Sequence, residues 1–396
     1  MPHFDIIKES RPKRTFRVES VIGTFDLQTE HIKEHFVGDI NLPEKWNIGL
    51  IVGRSGSGKS TIARELFGDH LIGHFDYTHE SILDDMPKNA TMSDITKALN
   101  SVGFSSPPSW LKPYSVLSNG EKMRCDVARA MLENDDFFVF DEFTSVVDRN
   151  VAQISSFAIQ KAIRRNDKKF IAVTCHYDVQ DWLMPDWVFN TDTMTFRTID
   201  AETQKKNRPE INLEIREVKH GKDKIWRIFS RYHYLSYSFN TAAKAFVCYV
   251  NGNLAAFTST LYFMHPRKKN TYREHRTVVL PDYQGIGIGN VLTSRVAQYF
   301  MDNGKTYIVT TSNPAYIKSR IKDERWVTTR HGRSSSGSGS GRIQNKYIKG
   351  STSCARITCS FEYIGDKRHR NAPVETKSHG RIITRGEKEK RTGAIS

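Results

Sequence analysis

The chain has 396 residues, 38% of them hydrophobic and 26% charged, which is enough for two or three domains that each bury a core and argues against a disordered chain. No apolar run reaches the roughly 18–20 residues of a membrane helix, so a membrane-embedded role is not expected. The net charge of +15 divides unevenly: residues 1–200 hold 23 Lys+Arg against 29 Asp+Glu, whereas residues 201–396 hold 36 against 15, which predicts two domains with different partners.

In chain order, the start MPHFDIIKESRPKR has no apolar signal core. Five scattered cysteines (Cys125, Cys175, Cys248, Cys354 and Cys359) point to a reducing, cytoplasmic setting rather than a disulfide framework. The alternation in TFRVESVIGTFDL (15–27) predicts antiparallel strands. IGLIVG (48–53) reads as a buried strand that feeds a glycine-rich turn and the helix TIARELFG. DFFVFDE (136–142) and KFIAVTCH (169–176) read as further buried strands with helical sequence between them, so the first domain (1–199) is expected to be α/β with a mainly parallel sheet. Polar residues 200–210 form the expected linker. A second, α+β domain (211–365) follows: LEIREVKH, a helix in KIWRIFSRYHYL, and a hairpin turning on the Asn-Gly pair of AFVCYVNGNLAAF. A strand is expected at 306–313, a Ser/Gly loop at 334–341, a strand pair at 343–349 and 354–364, and a basic tail over 366–396.

Gly53-Arg54-Ser55-Gly56-Ser57-Gly58-Lys59-Ser60 fits G-x-x-x-x-G-K-[ST] between a strand and a helix. Glycines such as Gly53, Gly56 and Gly58 let backbone N–H groups, with Ser55 and Thr61 beside them, turn toward a polyphosphate at a helix N-terminus. Lys59 is expected to reach the β- and γ-phosphates of ATP, and Ser60 to ligate Mg²⁺. FFVFDE ends in two carboxylates, Asp141 for Mg²⁺ and Glu142 to polarise an attacking water. Leu117-Ser118-Asn119-Gly120-Glu121, followed by KMRCDVARAML, resembles the signature of ABC-type ATPases. The resemblance extends through Asp148, similar to that family's D-loop, and His176, similar to its switch histidine.

The resemblance implies a head-to-tail homodimer with two ATPs in the interface, each phosphate loop facing Ser118 and Gly120 of the other subunit. One motif set per chain then requires two chains. The signature departs from the family in Asn119-Gly120 and in Glu121, which stands for the common glutamine. No glutamine lies between Lys59 and Ser118; Asp84 or Asp85 takes the Q-loop place, and the shortness of this segment argues against a transporter.

In the second domain, Gln284-Gly285-Ile286-Gly287-Ile288-Gly289 sits between the strand TVVL and an amphipathic helix and resembles the pyrophosphate loop of GNAT-type acyltransferases. This implies acetyl-CoA or another acyl-CoA as cofactor, with Asn313 near it. Candidate proton-transfer groups are Glu274, His275 and Tyr316. Tyr232-His233-Tyr234-Leu235-Ser236, with the cluster Arg267-Lys268-Lys269, resembles the phage Mom group of DNA-modifying enzymes. That makes His233 a further candidate beside a stacked base.

The function expected is that of a bifunctional ATPase and acyl-CoA-dependent N-acyltransferase acting on a nucleic acid base, with ATP-driven dimerisation as switch or loader. DNA and RNA are not separated by these features. Two alternatives stand beside it: an acyltransferase on a protein or small amine regulated by the ATPase, and a nucleic-acid-binding ATPase with an inactive transferase-like domain. The basic excess of the second half exceeds what one CoA requires.

Overall fold

The computed structural model describes residues 3–10, 13–26, 32–72, 75–134, 137–206, 210–233, 238–264, 268–333, 357–365 and 382–383. The Ser/Gly loop, the strand expected at 343–349, most of the basic tail, Tyr234 to Ser236, Arg267 and Cys354 lie outside them. In chain order the elements are β1 (His3–Ser10), α1 (Phe16–Phe25), β2 (Ile32–Asp39), β3 (Ile48–Val52), α2 (Lys59–Phe67), α3 (Met92–Ser101), α4 (Pro107–Trp110), α5 (Asn119–Glu133), β4 (Phe137–Phe140), α6 (Arg149–Arg165), β5 (Lys169–Thr174), α7 (Val179–Leu183), β6 (Trp187–Asn190), β7 (Thr195–Thr198) and α8 (Ala201–Lys206). They continue with β8 (Leu213–Val218), α9 (Lys222–Ser230), β9 (Lys244–Val250), β10 (Asn253–Tyr262), β11 (Thr271–Val279), α10 (Ile288–Asp302), β12 (Thr306–Thr311), α11 (Pro314–Lys322), β13 (Trp326–Arg333), β14 (Ile357–Tyr363) and β15 (Ile382–Ile383).

The chain divides into two units. The first comprises residues 1–78, 85–102 and 118–209; the second comprises 79–84, 103–117 and 210–396. The second unit therefore includes two short segments that precede the signature motif in sequence, which a boundary at residues 200–210 does not anticipate.

In the first unit the sheet order is β4-β5-β3-β6-β7, with β4, β5, β3 and β6 parallel and β7 antiparallel. The apolar run of β3 is wholly buried, as a central parallel strand covered on both faces must be. Because four parallel strands end at one edge, the phosphate loop, Asp141-Glu142, His176 and Thr191-Asp192 all emerge there. β1 and β2 form a separate antiparallel ribbon. The segment between them corrects the strand expectation for 15–27: it is the helix α1. Thr15 caps this helix by accepting from Val18 N–H at 3.4 Å, and Glu19 lies in its first turn, favourable to the helix dipole.

The second unit is one mixed sheet ordered β13-β14-β12-β11-β10-β9-β8-β15. β8 to β11 form an antiparallel meander, and Asn251 and Gly252 both take positive φ (48° and 85°) in the β9–β10 hairpin, as expected for an Asn-Gly turn. On one face of the sheet, Trp226 and Phe229 of α9 pack with Val218, Ala245, Val247, Phe257 and Val278. Phe300 of α10 packs with Phe246, Tyr272 and Tyr307, and Phe246 alternates with Ala245 and Val247, so helices cover opposite faces.

Two irregularities shape β11. It pairs with β12 in parallel only from Thr271 to Arg273, against Thr306 to Ile308, after which the two strands part. Against β10, Arg276 faces Ser259 and Glu274 faces Thr260, leaving His275 as the extra residue of a β-bulge.

Candidate active sites

At the first site, α2 begins at the phosphate-loop lysine. Gly58 caps it with φ of 85°, and Gly56 has φ of 82°, conformations open to glycine at low cost. A Cβ on Gly58 would stand 2.5 Å from a ring carbon of Phe36, and one on Gly53 would overlap Thr191 Oγ1. The loop is a close-fitting backbone cradle, which suits a polyphosphate. Ser60 and Thr61 occupy the first turn of α2, and Ser55 lies within the loop. Lys59 is 7% exposed and donates from Nζ to Arg54 O at 2.7 Å, a bond that a phosphate oxygen would replace.

Signals beyond the motif hold this loop. Ser57 Oγ and Thr191 Oγ1 are 2.5 Å apart. Asp192 Oδ1 accepts from Arg54 N–H at 3.0 Å, and its other oxygen accepts from Tyr177, the neighbour of His176. The Tyr177 hydroxyl is the leading cause that holds the Asp192 carboxyl below the ordinary range. Thr191, Asp192 and Tyr177 escaped sequence reading, since no motif marks the end of β6.

Asp141 Oδ1 accepts from Glu142 N–H at 2.9 Å, which leaves Oδ2 for a cation. Glu142 and Thr144 have φ of 55° and 65°, so the turn after β4 is held in a conformation that non-glycine residues seldom adopt. Thr144 Oγ1 and Ser145 Oγ are buried with no hydrogen-bond partner among the described residues. His176 N–H donates to Thr174 Oγ1 at 3.2 Å at the end of β5.

Ser118 caps α5 in a reciprocal capping box with Glu121, its Oγ accepting from Glu121 N–H at 3.3 Å, and Gly120 is buried in the first turn. Glu121 therefore has a structural task where the family favours glutamine. Asp148 caps α6 by accepting from Asn150 N–H at 2.8 Å. Asp85 is buried and accepts from Thr78 N–H at 3.0 Å. Among the described residues, no group of three or more His, Cys, Asp or Glu forms a ready-made metal cluster.

At the second site, Gly287 caps α10 with φ of 92°, and Gly285 has φ of 86°. Open space lies where a Gly287 Cβ would be, whereas one on Gly289 would crowd Val279 Cγ2 at 3.2 Å. Backbone N–H groups at the start of a fifteen-residue helix suit a pyrophosphate. Gln284 is otherwise engaged: Nε2 donates to Val279 O at 2.9 Å and Oε1 accepts from Ser105 N–H at 2.7 Å. Asn313 Oδ1 caps α11, accepting from Ala315 and Tyr316 N–H at 3.0 and 3.2 Å.

Where β11 leaves β12, Glu274 and Tyr316 come together. Glu274 accepts from Thr277 Oγ1 at 2.8 Å and from the Tyr316 hydroxyl at 2.9 Å. The bulge explains the first bond, because it resets the alternation and places residues three apart on one face. Tyr316 in turn accepts from Arg320 Nη2 at 2.7 Å. Arg320, fully buried, also donates to Ser294 Oγ at 3.0 Å and to Thr293, and lies over the Trp326 ring at 3.9 Å. Burial raises the Glu274 carboxyl above its ordinary value against the opposing pull of Arg320, Thr277 and Tyr316, and it raises the Tyr316 and Tyr307 hydroxyls as well.

His275 and His233 belong to a separate group. The Trp226 ring lies 5.6 Å from His233 and 5.9 Å from Phe239, and Phe239 lies 6.5 Å from His275. Burial, with Arg276 next, lowers both imidazoles to about 4, so both are neutral at pH 7. His275 Nε2 is buried without a hydrogen-bond partner among the described residues.

Residues 195–318 match the Acetyltransferase (GNAT) family. The N-terminal part is similar to mRNA export factor elf1 of Schizosaccharomyces pombe, 29% identical over 162 residues, which is 32% of this chain and 15% of that protein. It is similar to Elongation factor 3 of Gonapodya prolifera, 29% identical over 158 residues, 32% of this chain and 14% of that protein. The chain thus spans no more than 15% of the length of these relatives. A dimeric bacterial ABC transporter cassette aligns with 40% of this chain and 87% of its own, at 16% identity and a TM-score of 0.31. A bacterial Atm1-family ABC exporter with ATP bound aligns with 45% and 38%, at 17% identity and a TM-score of 0.31. Among the described residues no helix is long and apolar enough to cross a membrane. Residues 195–318 thus carry a GNAT-type acyltransferase match, and the first unit, whose motifs meet at one edge of a mainly parallel sheet, resembles the ATP-binding domain of ABC-type ATPases.

Proposed function

We propose that the chain hydrolyses ATP as a homodimer and transfers an acyl group from acyl-CoA to an amine of a nucleic acid base. In the first unit the loop from Gly53 to Ser60 binds the polyphosphate, Lys59 exchanging the Arg54 carbonyl for a phosphate oxygen. Ser60 and Asp141 are the residues that would hold Mg²⁺, which when bound would supply positive charge to offset that of the polyphosphate. Glu142 orients the attacking water, His176 reads the γ-phosphate from the end of β5, and Asp148 belongs to the subunit interface. Ser118 and Gly120, at a helix N-terminus, complete the site of the second subunit.

In the second unit the amine nitrogen attacks the thioester carbonyl, a C–N bond forms, and the C–S bond breaks. Glu274 receives the amine proton, since its raised carboxyl is closer to the working pH than an ordinary one. Tyr316 holds Glu274 in place, and the CoA thiolate leaves to take a proton from solvent. Gly285, Gly287 and Gly289 provide the pyrophosphate loop. His233 and His275, uncharged beside Trp226 and Phe239, match a planar heteroaromatic amine better than an ammonium-bearing side chain.

The observation that carries the polynucleotide is the charge division, with 36 Lys+Arg against 15 Asp+Glu in residues 201–396. The similarity to an mRNA export factor supports it. The test is mass spectrometry of nucleosides from cells expressing the wild type and Gly287→Glu. An acylated nucleoside that depends on the intact loop is expected. Acylated protein or a small acylated amine in its place would transfer the activity to the alternative substrate class.

A further inference from the structure

Gln284 opens the glycine loop of the transferase, yet both polar ends of its side chain are committed within the protein. One end fixes the loop to the last residue of β11. The other accepts the main-chain N–H of Ser105, in the segment 103–117 that belongs to the second unit although it comes from the first half of the chain. That segment is itself firmly built. Phe104 and Ile82 are fully buried; Trp110 Nε1 donates to Phe104 O at 2.9 Å; Ser81 Oγ donates to Trp110 O at 2.9 Å; Ile82 N–H donates to Lys112 O at 3.0 Å. Ser106 and Ser109 are buried as well. The segment ends at Leu117, and the next residue is Ser118, the signature serine.

We infer that Gln284 is a positioning residue rather than an acyl-CoA ligand, and that through Ser105 it makes the shape of the acyl-CoA loop depend on the segment that leads into the signature motif. This rests on the acyl-CoA reading above. A γ-phosphate that engages Ser118 shifts the start of α5, the segment is drawn with it, and the Ser105–Gln284 bond carries that shift to the loop before Gly285. By reciprocity, acyl-CoA binding changes ATP affinity by the same factor. The Ser105 donor is a main-chain group, so the bond depends on the path of the segment and not on the Ser105 side chain.

The test measures binding of acetyl-CoA to the full chain by calorimetry, with and without a non-hydrolysable ATP analogue. In the wild type the analogue is expected to change acetyl-CoA affinity by about 3–10-fold, the range that one hydrogen bond can transmit. Ser105→Pro, which removes the N–H, brings that ratio to about one, while the ATP analogue alone binds as in the wild type. Gln284→Ala, which removes the acceptor, also abolishes the ratio whatever it does to acetyl-CoA affinity itself. A wild-type ratio of one, or a ratio that survives either substitution, overturns the inference. A wild type that binds the ATP analogue but no acetyl-CoA defeats the acyl-CoA reading itself, and the staple with it.

Discussion

Arg320 gives the sharpest test of the buried network beneath the second site. Its guanidinium is fully enclosed, donates to Tyr316, Ser294 and Thr293, and is the leading influence that opposes the effect of burial on Glu274. Arg320→Met keeps much of the volume against Trp326 and removes the charge and the donors. The substitution leaves the buried acceptors Tyr316, Ser294 and Thr293 without their common donor, which costs about 1–3 kcal/mol. The loss has a definite pH dependence. A carboxyl raised above its ordinary value of 4.5 means that the native chain holds a proton the unfolded chain has released. Stability therefore falls as pH rises from the unfolded value through the folded one. Removing Arg320 raises the folded value further, so the deficit is smaller at about pH 5 than at about pH 7.5. Adding Glu274→Gln to Arg320→Met removes the titrating group and should make the remaining deficit independent of pH. The assay is a urea titration read by hydrogen-exchange mass spectrometry on peptides of β11, β12 and β14, which separates this unit from the first. A deficit below about 1 kcal/mol, or one equal at both pH values, would refute the coupling between Arg320 and Glu274.

Glu142→Gln should trap an ATP-bound dimer, visible by gel filtration with light scattering; a chain that stays monomeric with ATP would defeat the sandwich. Asp192→Ala removes the acceptor for both Arg54 N–H and Tyr177 and should weaken ATP binding about 10-fold, measured with a fluorescent ATP analogue, whereas unchanged affinity would show that the phosphate loop holds its shape without it. Gly287→Glu places a charged side chain at a φ of 92° within the loop and should abolish acetyl-CoA binding while ATP hydrolysis persists; retained cofactor affinity would sink the loop assignment.

What the sequence revealed follows from how local each signal is. The strand, glycine-rich turn and helix start around Lys59 are legible because the three signals are adjacent in sequence, whereas Asp141, Glu142 and His176 lie far off in the chain and reach the same sheet edge only through the parallel order of β4, β5 and β3. The helix α1 was not legible: Phe16, Val18, Ser20 and Ile22 mimic a two-residue alternation, and a helix whose residues all stay unburied has no packed face to impose the other period. The pairing of Glu274 with Thr277 was also hidden. Strict alternation would put Glu274 with Arg276, and only the bulge at His275 reverses this. The role of Gln284 was hidden for a third reason. Its motif resembles a ligand-binding loop, whereas its partner Ser105 lies far back in the chain and donates through the backbone, which no side-chain pattern can announce.

The strength of the Ser105–Gln284 bond also limits what kind of control it can exert. A ligand that moves a two-state equilibrium from about 1:99 to 99:1 must favour one state by roughly 5.5 kcal/mol. One neutral hydrogen bond contributes about 0.5–1.5 kcal/mol net, which corresponds to roughly 2–13-fold in affinity. ATP acting through this staple therefore tunes acyl-CoA binding and does not gate it. Stringent control, if the two reactions are tightly ordered, must come from the other large difference between the halves. A polynucleotide, on the substrate reading proposed above, would be held by several cations of the second half and would contribute binding energy that falls steeply with salt. Dimerisation would double the number of such contacts on one strand, so the ATP dependence of acyl transfer should be strong at low ionic strength and shrink toward the modest staple-limited factor as salt rises. An ATP effect that is large and independent of salt would mean that the two domains communicate by a route other than these two.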